Sequence, residues 1–194
     1  MPQRFLGAHT INNGGIHMAV KRAGNAGMTA MQLFTAPPQY YGDKVSIKPE
    51  RVARFKAALS ETKIGPENVV VHAAYVLSVA TPDDDKWVRA AGGLAKELER
   101  SSALGVGAIC FHSGSAATSE RSESAKRIAK AIVQALKTVD SSTRVLIENT
   151  AGAGRTMGKT AEEIGEILSH VPKALRPRTG YGLDTCHLYS SGYD

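Results

Sequence analysis

The chain has 194 residues, of which 42% are hydrophobic and 22% are charged, a balance typical of one soluble globular domain. Its formal net charge of +6 favours an anionic partner such as DNA, because phosphate groups attract basic surfaces. Two cysteines do not make a disulfide framework, and no apolar run is long enough for a membrane span or a secretion signal. We therefore expect a cytoplasmic protein, nucleoid-associated when bound to DNA, with no membrane partner.

Short apolar runs alternate with longer amphipathic segments along the whole chain. The runs are often β-branched and lack strict alternation, which is typical of strands buried on both faces of a parallel sheet. We predict strands at residues 5–8, 30–34, 68–71, 108–111, 144–147 and 180–183. The intervening segments repeat apolar residues every three or four positions, and we predict helices at residues 14–25, 49–62, 83–104, 119–139 and 160–171. This order predicts an α/β fold in a single domain over residues 1–194.

Several helix ends carry recognisable signals. Thr81, Pro82 and Asp83 supply a cap, a proline and an acid at the start of the third predicted helix. Thr160 precedes Glu163 in capping-box spacing. Gly105 stands where the third helix should stop.

One long irregular segment covers residues 35–47 and contains two prolines and the adjacent Tyr40 and Tyr41. A loop of this length in a compact domain is usually functional or mobile. The alternative is a solvated loop whose tyrosines pack onto the sheet. The sequence leaves both interpretations open.

Candidate metal ligands follow the predicted strands at the points where the strands end. They are His9, His72, His112, Glu148 and Asp184, with His187 three residues after the last. From His72 to Asp184 the intervals are 40, 36 and 36 residues, about one βα unit each. Because the carboxyl ends of barrel strands lie side by side on one face, we expect these side chains to converge. Histidine and carboxylate together are the ligand set of zinc or manganese.

Each of these residues also has a purely structural interpretation. A single histidine at a strand end is usually a surface or loop residue, and an aspartate there often caps the next helix, as Asp184 could. Four successive strand ends that each present a ligand-type residue are rarely a coincidence, so we favour a metal site. His17 and His170 lie within predicted helices, and we assign them no role.

Ordered motifs along essentially the whole chain resemble endonuclease IV. The two most specific are Glu-Asn-Thr-Ala-Gly at residues 148–152 and Asp-Thr-Cys-His at residues 184–187. They are accompanied by Gly-Ala-His at 7–9, Leu-Phe-Thr at 33–35, Val-His-Ala-Ala-Tyr at 71–75 and Phe-His-Ser-Gly-Ser at 111–115. The resemblance implies a (β/α)8 TIM barrel, of which about six βα units lie in this chain, and a site for three zinc ions.

The resemblance also implies a ligand set and a reaction. His72, His112 and Glu148 match the ligands of the first zinc ion. Glu148 and Asp184 match part of the second set, and His187 matches one ligand of the third. Glu148 would bridge the first two metals and is the residue on which we expect catalysis to depend. The implied reaction is hydrolysis of the phosphodiester 5′ to an abasic site in double-stranded DNA, leaving a 3′-hydroxyl.

Substrate contacts are implied at a second set of positions. Tyr75 matches a tyrosine that contacts the substrate, and His9 matches a histidine near the site. Where the family carries an Arg-Gln-Trp-like stretch that inserts into the duplex, this chain has Gln39 followed by Tyr40 and Tyr41. An aromatic wedge is therefore kept, whereas the arginine is replaced by Gln39.

The sequence also departs from the complete family pattern. It ends at Asp194 after six predicted strands, whereas the family's remaining zinc ligands follow on the seventh and eighth. The first zinc site could form here, but the second would have two protein ligands and the third one. Open sheet edges would favour self-association or a partner chain. Two other functions stay open: a non-catalytic DNA-binding remnant, and a metal-dependent sugar isomerase or epimerase of the related barrel group, against which the two specific motifs argue.

Overall fold

The computed structural model describes residues 4–37, 39 and 47–193, and its centre is a five-stranded parallel sheet. The strands lie in chain order, each hydrogen-bonded to the next. They are β1 Met31–Leu33, β2 Val69–His72, β3 Ala108–Phe111, β4 Arg144–Glu148 and β5 Thr179–Gly182. A parallel sheet in chain order confirms the predicted α/β class and is the arrangement of an incomplete (β/α) barrel.

The described residues form six α-helices that alternate with the strands. They are α1 Ile16–Asn25, α2 Pro49–Ser60, α3 Asp84–Leu104, α4 Arg121–Thr138, α5 Ala161–Ser169 and α6 Thr185–Ser191, and short 3₁₀ helices at Pro66–Asn68 and Arg176–Arg178 lead into β2 and β5. The five predicted helices are all present, with ends that differ from the prediction by at most two residues, and α6 is additional. None of the helices in the described part of the chain could cross a bilayer.

Alternate strand residues point to opposite faces of the sheet. On one face Val71, Ile109 and Ile147 are fully buried and pack with apolar residues of α1 to α5 in one hydrophobic core. The register pairs His72 with Cys110 on the other face, and Glu148 lies there at the end of β4. The polar candidates therefore lie on a face that is separate from the core.

The helix ends follow the predicted signals with two differences. Asp83, and not the predicted Thr81, caps α3 by accepting a backbone hydrogen bond of 2.9 Å, and Gly105 ends this helix in the left-handed conformation with φ of 75°. Thr160 caps α5 by accepting from the backbone N–H of Glu163 at 3.3 Å. The Glu163 carboxylate accepts from two other backbone N–H groups that precede the helix, so the reciprocal half of the capping box is not formed.

The predicted first strand at residues 5–8 is not a regular strand. Residues 4–9 are exposed and join β1 through a single parallel bridge between His9 and Gln32. Within the described residues this segment makes only that one bridge, which does not extend into the run of pairs that defines a regular strand.

Both edges of the described sheet expose large apolar side chains. Phe5 and Leu6 are exposed at the first edge, and Tyr181 and Leu183 are exposed at β5. Exposed apolar edges favour contact with another chain. The predicted self-association stays a prediction.

Candidate metal centre

Three predicted ligands meet where β2, β3 and β4 end. His72 is the last residue of β2, His112 directly follows β3, and Glu148 is the last residue of β4. Nε2 of His72 lies 2.8 Å from one carboxylate oxygen of Glu148. Nε2 of His112 lies 3.4 Å from the other oxygen. The expectation that residues at the carboxyl ends of the strands converge (the strand-end rule) therefore identified side chains that are neighbours in the fold.

Two oxygen atoms fix the ring of His72, which is only 5% exposed. Its Nδ1 lies 2.7 Å from the carbonyl oxygen of Ala73, to which a protonated Nδ1 donates. The neutral ring then presents an unprotonated Nε2 to the Glu148 carboxylate, and these two acceptors repel each other unless a proton or a cation joins them. Burial lowers the pKa of His72, but the hydrogen bonds with Glu148 and Ala73 outweigh burial and raise it. The site thus attracts positive charge to the point between His72 and Glu148.

Glu148 is the centre of the cluster and is 8% exposed. Burial acts to raise its pKa, but the close contacts with His112 and His72 outweigh burial and hold the pKa well below its usual range. The thiol of Cys110 lies 3.7 Å from the same carboxylate and donates to it, and burial raises the pKa of this thiol. At neutral pH the site therefore contains an ionised carboxylate beside a neutral thiol.

The junction of β5 and α6 brings two more predicted ligands to the cluster. Asp184 caps α6, because one carboxylate oxygen accepts from the backbone N–H of His187 at 2.9 Å. Its other oxygen lies 3.5 Å from Nδ1 of His187, which is itself 3.6 Å from Glu148. The cap interpretation of Asp184 is correct, and the same side chain also belongs to the cluster.

The donor atoms form two groups that share Glu148. His72 and His112 belong to the first group and Asp184 and His187 to the second, and within each group the candidate ligand atoms lie within 4.8 Å of one another. Nε2 of His112 is buried and makes no hydrogen bond despite its short distance to Glu148, because the approach lacks hydrogen-bond geometry. Imidazole nitrogens and carboxylate oxygens are the donors that zinc prefers. The residues therefore fit a metal ion, although their role as ligands stays a prediction.

The ring of His187 lies beside Glu148 and Asp184. Its predicted role as a ligand of a third metal stays a prediction. Nδ1 of His187 lies 2.9 Å from the carbonyl oxygen of Asn149. A protonated Nδ1 donates to that carbonyl, so Nε2 is the nitrogen that remains available to a metal.

Aromatic rings form a rim beside the first donor group. The predicted substrate contacts His9 and Tyr75 both lie against Phe34, with ring centroids 4.4 and 5.2 Å from it. Tyr75 is 53% exposed and lies 5.1 Å from the ring of His72. The sequence assigned no role to Phe34, although it directly follows β1 and the strand-end rule could have identified it.

The other predicted contacts fall in the loop after β1. Gln39 is exposed in a turn. Tyr40 and Tyr41 lie outside the described residues. Their predicted contacts with DNA stay predictions.

Comparisons with known proteins agree with this architecture. The family model described as a xylose isomerase-like TIM barrel matches residues 20–194. The "Probable endonuclease 4" of Cenarchaeum symbiosum (strain A) is 34% identical over 191 residues, which cover 97% of this chain and 66% of that relative. The chain thus spans slightly less than two thirds of the relative's length.

Two solved structures share this fold but differ in how similar their sequences are to this chain. Endonuclease IV from Thermus thermophilus has a TM-score of 0.81 and 28% identity, covering 98% of this chain and 66% of its own. D-Psicose 3-epimerase with D-tagatose, from Clostridium cellulolyticum, has a TM-score of 0.73 and 15% identity, covering 96% of this chain and 65% of its own. At that identity the epimerase shares the fold alone. The chain belongs to the xylose isomerase-like TIM barrel family, and its resemblance to endonuclease IV is confirmed in both sequence and fold.

Proposed function

We propose that this chain carries the metal centre of a zinc-dependent endonuclease that hydrolyses the phosphodiester bond 5′ to abasic sites in DNA, as in base excision repair. The observation that carries the proposal is the position of Glu148, whose carboxylate contacts histidines of both donor groups. A carboxylate shared by two metal ions a few ångströms apart suits the hydrolysis of phosphodiesters. Relatives that are named endonuclease 4 and endonuclease IV support the same class of nuclease.

The chain's residues would hold the metals through the two donor groups. His72 and His112 would bind one zinc ion with Glu148, and Asp184 and His187 would bind a second with the same carboxylate. When bound, zinc would supply a Lewis acid that stabilises negative charge on the attacked phosphate. Hydrogen bonds from Nδ1 of His72 and Nδ1 of His187 to backbone carbonyls orient both rings, so the donor geometry exists before a metal binds.

The exposed rim next to the metal centre would contact the damaged DNA. Tyr75 presents an exposed ring above the first donor group, and Phe34 and His9 extend the same surface. Aromatic rings in such a position stack on bases or sugars that have left the duplex. The net charge of +6 adds attraction to the phosphate backbone.

A nicking assay tests the proposed reaction. The substrate is an end-labelled duplex with one abasic site, incubated with the protein after zinc loading or after chelation. We expect a cut on the 5′ side whose 3′ end is extended by a DNA polymerase, and no cut after chelation. Glu148→Gln should reduce the rate by about a hundredfold or more. Glu99→Gln makes the same chemical change at an exposed position on α3 and should leave the rate unchanged.

Two results would contradict the proposal in different ways. Salt-dependent binding to the duplex without a cut, with zinc bound, would favour a non-catalytic DNA-binding protein. Epimerisation of D-psicose or D-tagatose at carbon 3 in the presence of manganese, without a cut in DNA, would favour a sugar epimerase.

A further inference from the structure

Asn149 binds the segment that carries Asp184 and His187 with all four of its polar groups. Its backbone N–H donates to the carbonyl of Gly182 at 3.2 Å. Its side-chain oxygen accepts from the backbone N–H of Asp184 at 2.6 Å, and its side-chain nitrogen donates to the carbonyl of the same residue at 3.1 Å. Its own carbonyl accepts from Nδ1 of His187 at 2.9 Å. The residue thus fixes both the backbone at Asp184 and the ring at His187.

The segment that Asn149 binds has little other support. Helix α6 contains no buried residue, so packing against the core contributes little to its position. In the described part of the chain, every hydrogen bond from residues 183–193 to another element runs to Asn149. Asn149 is itself 2% exposed and directly follows Glu148 at the end of β4. It therefore links a weakly held helix to a well-buried strand.

A buried asparagine often does no more than satisfy its own polar groups. Here, however, all four groups bind one segment, and that segment carries both remaining donors of the second group. We propose that Asn149 is a positioning residue that holds Asp184 and His187 beside Glu148 and so assembles the second donor group, an inference that rests on the metal-binding part of the proposed function. Asn149 also fixes the orientation of the His187 ring, because its carbonyl accepts a hydrogen bond from Nδ1.

Two variants of Asn149 and one matched control test this role. Asn149→Ala removes both side-chain hydrogen bonds to Asp184. Asn149→Asp keeps the size of the side chain and its acceptor oxygen but replaces the donor nitrogen by a second oxygen. This variant tests the role of Asn149 if the alanine variant does not fold. Thr150→Val is the control, because Thr150 is also buried and its hydroxyl donates to the carbonyl of Met157, outside the β5–α6 segment.

The first readout is hydrogen exchange of the metal-free protein. In both Asn149 variants the backbone N–H groups of α6 should exchange about tenfold faster or more, the effect expected from lost hydrogen bonds to a buried amide. The amides of β2, β3 and β4 should keep their protection, and the control should leave α6 unchanged. Unchanged exchange of α6 in both Asn149 variants would overturn the proposal whatever metal is bound.

The second readout is zinc per chain, measured by elemental analysis after removal of free metal. We expect two zinc ions in the wild-type protein and in Thr150→Val, and one in the Asn149 variants. Faster exchange of α6 with two zinc ions still bound would overturn the claim that Asn149 assembles the second group. Fewer than two zinc ions in the wild-type protein would count against the proposed function, and the exchange of α6 alone would then decide the role of Asn149.

Discussion

Replacing Glu148 by glutamine should remove most of the thermal stabilisation that zinc gives to this protein. The substitution keeps the volume of the side chain but removes its charge and one acceptor oxygen. Glu148 belongs to both donor groups, so each group would retain two donors from the described residues. Zinc sites in proteins generally use at least three protein ligands. A single substitution should therefore weaken both groups together.

The size of the effect follows from linkage between binding and folding. At a zinc concentration of about one hundred times the dissociation constant, each zinc ion that binds to the folded chain alone stabilises it by about 2.7 kcal/mol. For a domain of this length, each kcal/mol raises Tm by about 2–4 °C, so each bound zinc ion should raise the wild-type Tm by about 5–11 °C. If the loss of a ligand weakens binding by about a hundredfold, the stabilisation from each site at the same zinc concentration falls to about 0.4 kcal/mol. The Tm of Glu148→Gln should then rise by only about 1–2 °C for each site.

The assay is thermal unfolding followed by circular dichroism, with and without zinc, for wild type, Glu148→Gln and Glu99→Gln. Each protein is compared with its own metal-free form, so a change in the stability of the metal-free variant does not enter the result. The exposed Glu99→Gln control should show the full wild-type shift. A full shift in Glu148→Gln as well would refute the reasoning, because zinc would then bind elsewhere on the chain.

Two further predictions concern residues that support the fold around the site. Arg178 donates to three backbone carbonyls at and after the end of α4 and to a hydroxyl. Arg178→Met should therefore lower the free energy of unfolding in urea by about 3 kcal/mol. An unchanged free energy of unfolding would contradict the role of Arg178 in holding this end of α4. Burial acts to raise the pKa of Glu163, but hydrogen bonds from Arg121 and two backbone N–H groups outweigh burial and lower it. Ionised Glu163 thus stabilises the fold above its unfolded pKa and loses that contribution as the pH falls through the folded pKa. Glu163→Gln should be less stable than wild type at pH 7, with a difference in urea unfolding that shrinks as the pH falls below the unfolded pKa of about 4.3. A difference that is constant with pH would contradict the assignment.

The central strands could be predicted because most of their residues are buried. The apolar runs that became β2, β3 and β4 contain residues that face the helices, such as Val71, Ile109 and Ile147, and these are fully buried. Burial of this kind requires an apolar residue at each position, so the pattern is visible in the sequence. The run at residues 5–8 has the same apolar character, but it is exposed and joins the described sheet through a single bridge. Composition does not report whether an apolar run is buried or how far its pairing extends, and the prediction of a regular strand there was wrong for that reason.

The donors could also be predicted, because the carboxyl ends of parallel strands meet on one side of the sheet. That rule brought His72, His112 and Glu148 together correctly. It did not identify Asn149, because the rule searches for atoms that bind a metal and not for atoms that orient the donors. The hydrogen bonds of Asn149 depend on where the chain passes after β5, and that path is set by tertiary packing. The specific motif that contains Asn149 was a signal, but a motif does not say which of its residues contacts which segment.

The two donor groups differ in their most buried histidine. The side chains of His72 and of the shared Glu148 are 6% and 11% exposed, whereas those of His112, His187 and Asp184 are 25%, 27% and 33% exposed. A metal ion in the first group would therefore have a deeply buried imidazole donor besides Glu148, whereas the second group offers only partly exposed donors besides Glu148. The second group lies on the open side of the cluster, where a phosphate could approach. Because its donors lie on a helix with no buried residue, the more accessible half of the site is also the half whose geometry depends on hydrogen bonds to Asn149 and not on the core.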